Sequence, residues 1–135
     1  MSERLDRVEP AVLASYSVRR RVVRRADGKV SVLWGTLGLR MLHAEFLDLS
    51  TVLAEAARCP ARYGELARAG RARVVRCSMG QVTLHHRDLT LWLSPEEFED
   101  FSNLMVRARQ KLADSAPLPL LGLAWRPGGE MFGPN

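Results

Sequence analysis

Apolar and polar residues alternate at a period of two in two stretches of the chain, and each stretch leads into an apolar stripe at helical spacing. In the later one, Val82, Leu84 and His86 alternate with Gln81, Thr83 and His85. Leu89, Leu91 and Leu93 then alternate with Thr90 and Trp92. That period predicts two half-buried strands. Arg87-Asp88 is a tight connection that sets His86 opposite Leu89, Leu84 opposite Leu91 and Val82 opposite Leu93, with the aliphatics on one face. Ser94-Pro95-Glu96-Glu97 then opens a helix. Ser94 is placed to cap the free N–H groups, Pro95 suits the first helical position and Glu97 completes a capping box. Phe98, Phe101, Leu104, Met105 and Ala108 form the helical stripe.

The same pattern occurs fifty-two residues earlier. Comparing Arg21–Ala57 with Arg73–Arg109 gives thirteen identities in thirty-seven gap-free positions. Arg21–Arg24 and Arg73–Arg76 both read RVVR. Gly28 lies over Gly80, Leu37 and Leu39 over Leu89 and Leu91, and Glu45-Phe46, Asp48, Ser50 and Ala56 over Glu97-Phe98, Asp100, Ser102 and Ala108. A register shared over strands and helix predicts an internal duplication.

In chain order, residues 1–14 read as an arm of mixed charge and 15–58 as the first β-β-β-α repeat. Tyr16–Arg25 is its first strand. Asp27-Gly28 predicts a two-residue hairpin turn, which would pair Arg25 with Val30, Val23 with Val32 and Arg21 with Trp34 and stack Arg21 on Trp34. Leu42 stands where the second copy has Ser94, so the first helix, from about His43 to Arg58, is less well capped. Residues 59–70 read as a linker with one or two helical turns, and 71–114 as the second β-β-β-α repeat. Residues 115–135 form an extended Pro/Gly-rich tail. The expected fold is α+β: two tandem repeats, each an antiparallel meander plus helix, sharing one core and one sheet with both helices on one side.

Composition narrows the class. A chain of 135 residues is one domain's worth, and neither copy alone buries much surface. No run approaches the roughly 18 apolar residues of a membrane span, and Met1–Pro10 does not read as a signal peptide. Cys59 and Cys77 form no spacing motif and read as reduced thiols, so a cytoplasmic location is expected. The net charge of +5 is carried almost wholly by arginine, Lys29 and Lys111 being the only lysines. A GC-rich genome writes that bias; so does a surface for phosphates or an acidic partner.

The register above predicts an outer sheet face bearing Arg20, Arg24, Lys29, Arg40 and Arg76, with Ser31, Thr83, Thr90, His85 and Trp92, together with Val22, Leu33 and Val74. Cations, one tryptophan and several aliphatics on one face imply a partner. The tail adds Leu120, Leu121, Trp125 and Phe132, too apolar for a solvated linker. The first expectation is a small non-catalytic assembly subunit that docks on another protein, or on copies of itself, through this face and the tail. The alternative is a single-stranded nucleic-acid binder, with arginines on phosphates and Trp92 and His85 stacking on bases. The duplicated strands-plus-helix plan resembles that of the PUR-type single-strand binders and of those of the transcriptional positive-cofactor type. Those families build each unit from a four-stranded sheet followed by a helix, whereas three strands per copy are predicted here. The resemblance is one of plan, and no functional residue is carried over from it.

Other chemistry finds little support in the spacing. His85 and His86, adjacent on a strand, point to opposite faces, and Cys59, Cys77 and His43 supply no ligand spacing, so no metal or other cofactor is expected. Glu45/Asp48 and Glu97/Asp100 recur near helix starts with no base or nucleophile beside them, and Ser50 and Ser102 are mid-helix. No phosphate-binding glycine loop is present.

Overall fold

The computed structural model describes residues 9–115. The class is α+β, and the same order of elements occurs twice. The first half is β1 (Ala11–Ser17), β2 (Arg20–Arg24), β3 (Val30–Trp34), β4 (Leu37–Met41) and α1 (His43–Arg58). The second is β5 (Gly64–Ala69), β6 (Ala72–Arg76), β7 (Val82–His86), β8 (Leu89–Leu93) and α2 (Pro95–Ser115). Each half is a four-stranded antiparallel meander, so there are two sheets, β1-β2-β3-β4 and β5-β6-β7-β8, in place of the one shared sheet that the sequence suggests.

Each half also has one strand more than the pattern predicts. Residues 11–14 belong to β1 rather than to an arm, and Tyr16–Arg25 is split by a turn at Val18-Arg19. A register shift between Val12 and Ala14 lets the adjacent Leu13 and Ala14 both face inward, which breaks the period of two. Gly64–Ala69, read from sequence as linker, pairs with β6. Its Glu-Leu-Ala-Arg-Ala composition favours helix, and cross-strand pairing overrides that weak local preference.

The hairpin between β2 and β3 differs from expectation by one residue. The Arg25 amide donates to the Lys29 carbonyl at 2.8 Å and the Gly28 amide to the Arg25 carbonyl at 3.0 Å. This is a three-residue loop with Gly28 at φ 85°, the turn-plus-bulge solution rather than the two-residue one. Cys77, Gly80 and Gln81 repeat it. The register becomes Arg20 opposite Trp34, Val22 opposite Val32 and Arg24 opposite Val30. A slip of one residue turns every side chain of a strand to the other face. Val22 and Val74 are therefore buried in the core rather than on the outer face. The last hairpin keeps its predicted register, with Val82 opposite Leu93 and His86 opposite Leu89.

The inner faces of both sheets and both helical stripes join one apolar cluster that includes Val22, Val32, Val74, Leu84, Phe46 and Phe101. The helices are exchanged between halves: α1 lies against β5 and β6, and α2 against β1 and β2. Phe101 of α2 meets Trp34 of β3 edge-on, with ring centroids 4.9 Å apart. Phe46 and Phe101 are fully buried, and each contributes roughly 1.5–3 kcal/mol of transfer free energy.

Capping differs between the helices as the sequence predicts. In α2 the Glu97 amide donates to Ser94 Oγ at 3.1 Å and the Ser94 amide donates to Glu97 Oε1 at 2.9 Å, a complete capping box. In α1 only half of it exists: the Leu42 amide donates to Glu45 Oε1 at 2.9 Å, and a leucine side chain has no oxygen to return. Leu42 is exposed. Leu42→Ser should complete the box and raise the unfolding free energy by about 0.5–1 kcal/mol, while Ser94→Ala should lower it by a similar amount. Urea denaturation of the three proteins checks both signs.

Candidate interaction faces

The corrected register decides which arginines face outward. Arg20, Arg24 and Arg76 do not. The Arg20 guanidinium lies 4.3 Å from the centroid of the Trp34 ring, the contact the sequence assigns to Arg21. Arg24 donates to the Glu9 carbonyl at 3.0 and 2.8 Å, and Arg76 donates to the Ala61 carbonyl at 3.0 Å. All three are edge residues of the inner faces, tied to the chain itself. Val22 and Val74 likewise leave the outer face, and Arg21, Val23 and Arg25 take their neighbours' expected places.

On the first sheet, Arg21, Arg25 and Arg40 surround an open recess of about 430 Å³ whose walls include Val23, Ser31, Leu33 and Gly38. Gly38 contributes to the opening by having no side chain to fill it. Arg25 pairs with Asp27 at 3.5 Å. The Lys29 backbone amide, which donates to Asp27 at 3.0 Å, and the Arg25 guanidinium hold the Asp27 carboxyl below its usual range. Arg21 and Arg40 form no ion pair among the described residues, and Arg21 Nε has no hydrogen-bond partner there.

The second sheet differs at the equivalent positions. Thr90 stands in place of Gly38, Trp92 in place of Arg40 and His85 in place of Leu33. Trp92 pairs across the strands with Thr83 and is 62% exposed. His85 lies opposite Thr90, whose hydroxyl is 3.3 Å from His85 Nδ1. Glu65 holds Arg68 through contacts of 3.2 and 2.7 Å and approaches Arg73 at 3.9 Å. The Arg68 hydrogen bond pulls the Glu65 carboxyl below its ordinary value. One half therefore presents little-neutralised cations around a recess, and the other an exposed indole beside an imidazole.

Charge is segregated between the layers. The strands carry seven arginines (Arg20, Arg21, Arg24, Arg40, Arg68, Arg73 and Arg76) against the single acid Glu65. The helices carry eight acids, among them Glu45, Asp48, Glu96, Glu97, Glu99 and Asp100, against four cations. The sequence alone hides this, because both charge types are scattered along the chain and only the strand boundaries sort them.

His86 sits on the inner side, 8% exposed, between two clefts of about 230 and 320 Å³ that Glu45 and Arg87 also line. Burial pushes its imidazole below the ordinary value; the carboxylates of Glu45 and Asp48 oppose that and the Arg87 guanidinium reinforces it. Arg87 itself pairs with Glu45 at 3.1 Å. Among the described residues no group of three or more His, Cys, Asp or Glu side chains is arranged to hold a metal, and no helix is long and apolar enough to cross a membrane. The tail candidates Leu120, Leu121, Trp125 and Phe132 lie outside the described residues.

No family model matches the chain, and no curated protein or solved structure is significantly similar to it.

The position of His86 has a pH consequence. A histidine kept neutral in the folded state takes up its proton first in the unfolded chain as pH falls below about 6.5. The stability it supports is fully present above that pH and is lost on the acid side, down to the depressed folded value. His86→Gln should flatten the fall in urea midpoint between about pH 8 and pH 5.5. An unchanged slope would show that His86 does not carry the dependence.

Proposed function

We propose that the chain is a non-catalytic binder of single-stranded nucleic acid that uses the outer faces of its two sheets. The observation that carries this reading is the segregation of charge: arginine on the strands, acid on the helices. A polyanion is attracted to the first and repelled by the second. Arg21, Arg25 and Arg40 line one open recess, where they would meet backbone phosphates. Trp92, with His85 nearby, offers a stacking platform that tolerates any base. Four strands followed by a helix is also the count per unit in the PUR-type and positive-cofactor-type binders, a likeness of plan alone. On this reading the two halves descend from one duplicated unit whose faces have since specialised.

A second reading keeps the chain as an assembly subunit that docks on a protein, or on copies of itself, through the outer sheet face and the tail. What favours it is the exposure of large apolar groups: Trp92 at 62%, Tyr63 at 61% and Met79 at 90%.

Fluorescence anisotropy with labelled single-stranded DNA and RNA across a salt series separates the two. The nucleic-acid reading predicts binding that weakens steeply with salt. Arg21→Ala with Arg40→Ala should reduce the logarithmic salt slope by about one to one and a half. Trp92→Ala should cost about 1–3 kcal/mol. Arg24→Ala, at an inward position, should lower stability and leave affinity nearly unchanged. Absence of binding at low salt would remove the nucleic-acid reading and leave the docking one.

A further inference from the structure

The two halves repeat in fine detail as well as in their elements. Arg24 donates to the carbonyl of Glu9, and Arg76, fifty-two positions on, donates to the carbonyl of Ala61, fifty-two positions after Glu9. The hairpin hydrogen bonds of Arg25, Gly28 and Lys29 recur in Cys77, Gly80 and Gln81. The environment of a side chain in one half therefore indicates what the equivalent space in the other is shaped to hold.

One site breaks the match. Arg109 reaches from α2 to α1, where its Nη1 donates to the Leu47 carbonyl and the Ser50 hydroxyl at 3.5 Å each, and to the Thr51 hydroxyl. The residue equivalent to Arg109 is Ala57, and those equivalent to Leu47, Ser50 and Thr51 are Glu99, Ser102 and Asn103. These four, with Arg76 and Phe98, line a cleft of about 300 Å³. Ser102 is 2% exposed, and its Oγ has no hydrogen-bond partner among the described residues. A buried hydroxyl without a partner is uncommon because it forfeits its hydration. The equivalent Ser50 hydroxyl donates to the Leu47 carbonyl at 3.0 Å and also lies 3.5 Å from Arg109 Nη1, and Ser102 has neither contact among the described residues. Glu99 in place of Leu47 adds a carboxylate that the Arg109 site lacks. Arg76, which also lines the cleft, is held by the Ala61 carbonyl at 3.0 Å, and the Glu99 carboxylate is there to offset its charge.

We propose that this cleft is a receptor for an arginine side chain presented by another polypeptide. It offers the backbone carbonyl, serine hydroxyl and polar side chain of the kind that Arg109 engages, with a carboxylate added. In the other half an arginine makes these contacts, all of them through its Nη1, so the guanidinium is the group whose place the cleft leaves open. The inference stands apart from nucleic-acid binding, because it uses the helix layer and not the sheet faces.

The test is a titration of isotope-labelled full-length protein with N-acetyl-arginine amide, followed by amide chemical shifts. The expected result is saturable shifts at Glu99, Ser102, Asn103 and Ala57 with a dissociation constant on the order of millimolar. The matching citrulline amide, which keeps the shape and lacks the charge, should bind several-fold more weakly. Ala57→Arg, at an exposed position, should refill the cleft from within, abolish the shifts and raise Tm by roughly 2–5 °C. Arg109→Ala should open the equivalent site and add a second set of shifts at Leu47, Ser50 and Thr51. Shifts that are absent, that citrulline reproduces at equal strength, or that survive Ala57→Arg would overturn the proposal. Once binding is established, sedimentation identifies the source of the arginine. Self-association lost in Ala57→Arg assigns it to a second copy of this chain, and an unchanged mass assigns it to a different protein.

Discussion

The exchange of helices is the constraint on which the rest of the structure depends. Each sheet has one apolar face, and each helix packs mainly against the sheet of the other half. α2 covers β1 and β2, while α1 covers β5 and β6. The Trp34–Phe101 contact, the Arg107 guanidinium 5.4 Å from the Tyr16 ring centroid and the Arg109 contacts to α1 all cross between halves. Neither half can bury its core without the other, and a four-stranded meander with one bare apolar face has little stability alone. The exchange also commits both inner faces to the core, so that the outer faces are what remains for a partner.

On that fixed frame the two halves differ on their exposed faces and at several core positions. Gly38 and Arg40 of the first sheet correspond to Thr90 and Trp92 of the second, all on outer-face positions. Ala57 and Arg109 differ on the helix surfaces. Some core positions, Val22 and Val74, Val30 and Val82, Phe46 and Phe98, are identical, while others change residue, among them Val32 and Leu84, Trp34 and His86, and Leu49 and Phe101. The pairing of a cationic recess with an exposed indole comes from substitutions at a few exposed sites on a repeated scaffold. The segregation of arginine to strands and acid to helices then gives the layers opposite character.

Much of this was legible in the sequence. The period-two runs, the Ser94 cap and the shared register located six of the eight strands and both helices, because each rests on a local signal. β1 and β5 were harder to read. The irregular pairing near Val12 puts Leu13 and Ala14 on one side, and Gly64–Ala69 has a helical composition that only pairing with β6 overrides. The outer face was misassigned for β2 because Asp-Gly fits two turn lengths, and for β6 because its register was taken over from β2; the choice of three residues over two moves Arg20, Arg24 and Arg76 inward. The choice of arginines for the site followed from that single turn. The helix exchange has no local signature: the same apolar stripe on α1 would serve either sheet.

Native-state hydrogen exchange in low denaturant tests the central claim, that exchanged helices make the two halves one cooperative unit. The slowest amides of β2 and β3 and those of β6 and β7 should converge on a single opening free energy with the same denaturant dependence. An opening that releases the amides of one sheet while those of the other stay protected would contradict it, because a half that outlives its partner does not depend on the borrowed helix.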